Sequence, residues 1–295
     1  MILKKKIGVF EIVVCICLSL LSLFLLFLLC WGVITSLKTV DDALYNPMKL
    51  PTEGWQFNNY LSLVKGFSII TKNAAGLQVR VKMGAILLNT IVYAGVGSFL
   101  ASFTPLIVAY LCARFKDKKL SKVIYYVNLI VMMLPLVGTY PANLKLVKSI
   151  GFYNTLPGIL VYQTIGFTGL YFLVYYAMVK GVDKSYYEAA YLDGAGEWAV
   201  LFHIYIPLLK NTFSTVLLLR FIAYWNDYNT PLLYMPAHPT LAFSIYQLSR
   251  SNELEFSTLP MRMAAGVFTV FPIVILFIVF RNKLIGNLTV GGVKG

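Results

Sequence analysis

Residues 184–207 read KSYYEAAYLDGAGEWAVLFHIYIP, a polar stretch between two long apolar segments. It is too polar to sit in lipid and too patterned for a plain connector. Ser185 and Glu188 have capping-box spacing: the Ser hydroxyl accepts from the N3 backbone N–H, and the Glu carboxylate accepts from the Ser N–H. A short helix is therefore predicted to start near Tyr186. Gly194 is predicted to end it, since glycine takes the left-handed C′ position without a Cβ penalty. After Gly196 a second helical run leads towards Pro207. The stretch reads as a helix, a Gly-rich turn and a second helix feeding an apolar segment.

The surrounding composition says where such an element sits. Of 295 residues, 59% are hydrophobic and 13% charged. Soluble domains carry roughly 25% charged residues, so this is the composition of a membrane protein. No soluble block stands outside the apolar segments. The net charge of +13 does not point to nucleic acid, because the basic residues flank apolar segments and form no basic face. Cys15, Cys17, Cys30 and Cys112 lie in or beside apolar segments with no C-x-x-C pair, which supports neither disulfides nor zinc. Lys4, Lys5 and Lys6 precede an apolar run that continues to about Ile34. That run outlasts the roughly 7–15-residue apolar region of a signal peptide and no small-x-small site follows, so it reads as a retained first span.

Six segments reach the ~20 residues that cross about 30 Å of hydrocarbon. They lie near 10–34, 85–111, 121–141, 157–180, 210–233 and 260–281. The expected fold class is an all-α polytopic membrane protein with six transmembrane helices in one domain. Ser121, Pro157, and Thr258 with Pro260 are the expected starts of the third, fourth and sixth spans. Pro105, Pro135 and Pro272 fall inside spans, where proline marks a kink rather than a break.

Loop Lys and Arg residues set the orientation. With the N-terminus inside, fourteen of them fall on inside segments and nine on the longer outside ones. Both termini are then cytoplasmic, and the quoted stretch belongs to a cytoplasmic loop over 181–209. Of the outside loops, 38–83 is expected to carry a surface helix within 55–67, with Phe57, Tyr60, Leu61 and Val64 on one stripe. The loop 234–259 carries Pro236, His238 and Pro239, then a polar patch over 249–255. It reads as a flexible turn or as a docking surface for an external partner.

Enzyme signatures are absent. No Gly-Lys pair occurs, so the chain has no P-loop and does not hydrolyse ATP by that route. There is no H-E-x-x-H, and His203 and His238 fall on opposite sides of the membrane, so they share no metal. No Gly-x-Ser-x-Gly elbow appears. Inside the spans, Arg220 stands near the centre of the fifth, where an arginine costs about 2.5–3.5 kcal/mol and so should face protein or water. Asp227 is two helical turns further along the same face, with Trp225, Asn226 and Tyr228 around it. This is either a polar stripe lining a solute pathway or a structural ion pair between helices. Asn89, Asn128, Gln163 and Thr164 are better explained by interhelical hydrogen bonds. The 15% aromatic content suits both sugar rings and membrane-interface belts.

The quoted stretch also carries a spaced motif. Glu188-Ala189-Ala190, three residues, Gly194, nine residues, Ile204, one residue, Ile206, Pro207 resembles the pattern E-A-A-x3-G-x9-I-x-L-P, with Ile206 in place of Leu as the one departure. That pattern is the EAA loop of permease subunits of binding-protein-dependent ABC importers. The likeness extends over essentially the whole chain. Pro51 with Trp55, Asn59 and Tyr60, then Trp225-Asn226-Asp227-Tyr228 with Pro231-Leu232, and the tail Gly291-Gly292-Val293-Lys294-Gly295 resemble the six-helix, maltose-type carbohydrate permeases of type I importers.

The resemblance implies a mechanical role. Glu188, Ala189, Ala190, Gly194, Ile204 and Pro207 would form a coupling element that docks in a groove of a separate ATPase subunit. Two alanines let a helix sit close in a groove, Gly194 permits the turn, and Glu188 is an anionic anchor. ATP and Mg would be bound by that ATPase, and no cofactor by this chain. The implied partners are a second permease, two ATP-binding cassette subunits, an extracellular solute-binding protein reached through 234–259, membrane lipid and a carbohydrate, with oligosaccharides favoured. Polyols and glycerol phosphodiesters stay open as solutes, as does a secondary transporter built on Arg220 and Asp227. Arg220, Trp225, Asn226 and Asp227 are the candidate pathway residues, and the expected location is a prokaryotic cell membrane.

Overall fold

A computed structural model describes residues 8–73, 76–134, 138–165, 169–250 and 256–288. The first apolar run forms α1 (Val9–Ser36). Two short helices follow, α2 (Val40–Tyr45) and α3 (Asn58–Gly66). Next comes a hairpin of β1 (Ser68–Lys72) and β2 (Gln78–Lys82), and then the long α4 (Met83–Arg114). Four helices occupy the middle of the chain: α5 (Lys119–Met133), α6 (Tyr140–Ser149), α7 (Leu156–Ile165) and α8 (Leu170–Lys180). The opening stretch holds α9 (Ser185–Leu192), α10 (Glu197–Val200), a π-helical turn at Leu201–Tyr205 and α11 (Ile206–Leu208). Last are α12 (Lys210–Trp225), α13 (Asn229–Tyr234), α14 (Leu241–Arg250) and α15 (Leu259–Leu288).

The chain divides into two compact units. The first comprises residues up to Phe67 together with Gln247–Pro272. The loop after α1 closes on itself through buried polar groups. Thr39 caps α2, its Oγ1 accepting from the Asp42 N–H at 3.1 Å. Asp42 accepts from the Thr52 N–H at 2.9 Å and the Thr52 hydroxyl at 2.6 Å. Led by the Thr52 hydroxyl, these bonds hold the Asp42 carboxyl below its ordinary value. Lys38, 1% exposed, donates to the Asn46 carbonyl at 2.6 Å. The helix expected within 55–67 forms as α3, and its apolar stripe faces away from the unit's core. Phe57, Leu61 and Val64 are exposed, and the buried side of α3 presents Leu63 with Phe67 after it.

The second unit runs over Ser68–Tyr246 and Ile273–Gly295. Here α4 is central, with α7, α8 and α12 packed on it. Its buried face carries Gly97, Ser98, Ala101, Ser102 and Ala109, small residues that let helices approach closely. At Gly97 a Cβ would meet two ring carbons of Tyr224 at 2.5 and 2.7 Å. Pro105 is buried inside the same helix.

Several expectations change. The fold is helical but not all-α, because β1 and β2 pair antiparallel from Ser68↔Lys82 to Lys72↔Gln78. Ile69, Ile70, Thr71, Val79 and Val81 supply β-branched residues, and Asn73 closes the turn by accepting the Leu77 N–H at 2.9 Å. Of the expected span over 121–141, α5 covers only the part up to Met133, since it starts at Lys119 and has 15 residues, and Tyr140 already belongs to α6. Ser121 is therefore inside the helix and is not its cap. The helix ends as Leu134 turns extended, as a residue before proline does; Pro135 itself lies outside the described residues. The expected span over 157–180 is a bent pair, α7 and α8, with Pro157 in the first turn of α7. The expected span over 210–233 is interrupted after Trp225. Pro231 has no N–H to offer the Asp227 carbonyl, so the ladder cannot continue there. In all, three described helices are long and apolar enough to cross a membrane, or up to five if each bent pair counts as one span. The tail over 289–295 and most of the 249–255 patch lie outside the described residues.

Candidate functional site

The motif-bearing loop has an anchored side and a free side. The capping box expected at Ser185 does not form. Instead the Ser185 N–H donates to Asp183 Oδ1 at 2.9 Å, and that bond holds the Asp183 carboxyl below its ordinary value. Asp183 takes the role given to Glu188, accepting the Ser185 N–H, because it lies two residues upstream, where its short side chain reaches forward to a free N–H. The end of α9 behaves as expected. Gly194 has φ +80°, its N–H donates to the Tyr191 carbonyl, and the Ala195 N–H donates to the Ala190 carbonyl, both at 2.9 Å. This is a Schellman closure.

Beyond the turn the chain re-enters the helical core. Val200, Leu201, Tyr205 and Leu209 are buried with Leu106, Tyr110, Phe172 and Tyr175, and Tyr187, Ala190, Ala195, Ile204 and Ile206 pack against that cluster. The π-helical turn immediately precedes Pro207, whose ring would crowd the His203 carbonyl in a regular helix; widening the ladder relieves that crowding. The segment Glu197–Leu208 then meets α12 at 77°.

The free side carries Glu188 and Ala189, both exposed. No hydrogen bond or ion pair engages the Glu188 carboxylate among the described residues. Leu192 is 90% exposed and Trp198 63%. Apolar side chains this open, on a loop whose other side is buried, mark a contact surface. The sequence reading passed over both, although Leu192 follows Glu188 by one helical turn.

A second feature was also missed. Arg114, the last residue of α4, has its guanidinium 4.0 Å from the Tyr187 ring centroid and 5.3 Å from that of Tyr191. Its Nε lies 3.7 Å from Glu197 Oε1, and the Tyr110 hydroxyl donates to Glu197 Oε2 at 2.8 Å. Tyr187 and Tyr191, one turn apart on α9, were the available sequence sign.

The four pathway candidates are not one stripe. Asp227 lies past the end of α12 and therefore off the face that carries Arg220. Its Oδ2 accepts from the Tyr93 hydroxyl at 2.7 Å and its Oδ1 from the Thr230 N–H at 3.1 Å. Gln163 donates to the same Tyr93 oxygen at 2.9 Å. Asp227 thus ties α4, α7 and α13 together. Arg220 lies over the Tyr171 ring at 4.5 Å, and no ion pair joins it to Asp227 among the described residues. Its Nε and the Tyr175 hydroxyl are buried without hydrogen-bond partners. Trp225 is buried, and Asn226 is exposed with its amide bonded back to the Ile222 carbonyl at 2.9 Å. Around the next segment, the Asn154 N–H donates to the Tyr234 carbonyl, its Oδ1 accepts the Ala237 N–H, and Thr90 Oγ1 accepts the Leu241 N–H. That part of the 234–259 loop is pinned rather than a flexible turn.

Comparison with known proteins places this geometry. Residues 105–285 match the family described as "Binding-protein-dependent transport system inner membrane component". The diacetylchitobiose uptake system permease protein NgcG of Streptomyces coelicolor is 26% identical, over 88% of this chain and 82% of that one. The arabinooligosaccharides transport system permease protein AraQ of Bacillus subtilis is 28% identical, over 94% of this chain and 92% of that one. Among solved structures, a bacterial ABC transporter involved in import of the acidic polysaccharide alginate superposes with a TM-score of 0.75 at 19% identity, covering 96% of this chain and 99% of that one. The helical architecture is thus that of a type I ABC importer permease.

Proposed function

The chain belongs to the inner membrane components of binding-protein-dependent transport systems, and on that premise we propose that it is a permease subunit of an ATP-driven carbohydrate importer. Oligosaccharides are the favoured solute, since NgcG and AraQ carry permease names of oligosaccharide systems. ATP and Mg are held by a separate ATPase pair, and this chain binds no cofactor. A second permease and an extracellular solute-binding protein complete the assembly in a prokaryotic cell membrane. The polypeptide crosses the membrane six times with both termini cytoplasmic. In this reading α5 belongs to the third span, α7 with α8 forms the fourth, and α12 with α13 forms the fifth.

One observation carries the proposal: the loop over 181–209 is clamped on one side and bare on the other. Glu188, Ala189 and Leu192 form an exposed patch on a helix whose far end is fixed by Gly194. Ala190, Ile204 and Pro207 sit on the anchoring side or at the bend into α12. A partner that pushes on the patch therefore pushes on the bundle. Of the pathway candidates, Arg220 has the orphaned buried nitrogen that a sugar hydroxyl or a partner permease would satisfy. Asp227 supports the path from behind, through Tyr93, while Trp225 and Asn226 bracket the break.

The test is uptake by proteoliposomes containing the whole complex, against liposomes containing this chain alone. Uptake that needs ATP, the ATPase and the binding protein is expected. Gradient-driven uptake by the chain alone would instead identify a secondary transporter.

A further inference from the structure

The cluster around Arg114 joins the coupling loop to α4. Tyr110 and Arg114 are one turn apart on α4, and between them they grip the loop on both sides of the Gly194 turn. Arg114 faces Tyr187 and Tyr191 on α9, and Glu197 at the start of α10 receives the Tyr110 hydroxyl. The Schellman closure fixes the turn that leads from α9 into α10. Further along the same α4, ten residues from its start, stands Tyr93, which holds Asp227 and Gln163. The two groups are 21 residues apart on one helix, or about 30 Å at 1.5 Å per residue.

We propose that Arg114 is the joint through which displacement of the coupling loop reaches α4, and through α4 the Tyr93–Asp227–Gln163 junction. The proposal rests on the importer reading above. The chemistry suits a joint better than a weld. A guanidinium over a ring face keeps its attraction over a range of tilts, whereas a hydrogen bond is lost once its angle degrades. Here the cation lies between two rings set nearly perpendicular, at 86°. Arg114 Nε makes no hydrogen bond, and its contact with Glu197 is a 3.7 Å ion pair rather than a bonded fork. The loop can therefore rock about Arg114 without releasing it. The Tyr110–Glu197 bond at 2.8 Å fixes the pivot point.

The experiment measures solute transported per ATP hydrolysed by the purified complex in proteoliposomes, with ATPase copurification as the control for assembly. Arg114→Met keeps an apolar stem and removes the charge, and Tyr187→Leu keeps bulk and removes the ring. Each is expected to leave the ATPase copurifying while the ratio falls about fivefold or more, the lower edge of ordinary coupling between sites. Arg114→Lys and Tyr187→Phe keep the cation and the ring, and are expected to restore the ratio. An unchanged ratio in both disruptive variants would overturn the joint. So would loss of copurification, which would assign these residues to docking or folding. If wild-type complex shows no ATP-driven uptake, the importer reading itself fails, a result separable from unchanged variants of a working complex.

Discussion

Gly194 is the residue on which the loop geometry turns. Its φ of +80° is open to glycine and costs other residues about 1–2 kcal/mol. Gly194→Ala is expected to loosen α9 by about 1 kcal/mol, read as faster amide exchange of residues 185–193 with the rest of the protein unchanged. Gly194→Asn should cost less, since asparagine tolerates the left-handed region. In the outer loop, Asp42 sets a pH dependence. Its folded pKa lies below the ordinary 3.8, so its contribution is present at neutral pH and is lost as pH falls below 3.8 through the folded value. The difference in melting temperature between wild type and Asp42→Ala is expected to shrink across that window. A difference that grew in acid would contradict the assignment. Such local features divide by sequence distance. Gly194 was readable because its partners are its neighbours. Arg114 was not, because Glu197 and Tyr187 come to it only through folding of the bundle.

At the scale of elements, the break between α12 and α13 is the decisive difference from the sequence reading. Helical periodicity carried past Trp225 put Asp227 on the Arg220 face. The chain instead ends its helix there and uses Asp227 as a three-way tie. Pro231 marked that break in the sequence, four residues after the carbonyl it cannot satisfy. Asp227→Ala leaves the Tyr93 hydroxyl without its acceptor and is expected to cost about 1.5–3 kcal/mol, the range for bonds to charged groups. Asp227→Asn keeps one acceptor oxygen, enough for the Tyr93 hydroxyl or the Thr230 N–H but not both, and should lose less stability than Asp227→Ala. Thermal unfolding of the two variants in detergent checks the order, and equal losses would contradict it. The hairpin was legible too: Q-V-R-V-K alternates, and Asn73 followed by Gly76 is a turn sign. Its signal is outweighed by its setting, inside a long polar segment between two apolar spans. Span lengths were the least legible feature, since hydropathy reports a run of apolar residues and not the bends within it. The apolar run at 157–180 is one stretch by composition and two helices by backbone.

At the scale of the molecule, the family and the fold were legible because the motif spans a folding unit that closes on itself: α9, the turn at Gly194, and the re-entry through Pro207. The solute was not legible, because no residue type in the sequence names it, and the seat of Arg220 over the Tyr171 ring was not, because Tyr171 comes to it only through folding. The central claim is that the exposed side of α9 takes the thrust of a separate ATPase. Glu188 tests it cleanly, since an exposed carboxylate with no partner among the described residues can be reversed in charge without disturbing the fold. The measurement is ATP-driven solute uptake, with ATPase copurification, for complexes carrying Glu188→Lys. Loss of uptake and weakened copurification, with this chain still folded in the membrane, is the predicted result. Uptake and ATPase binding at wild-type levels would contradict it.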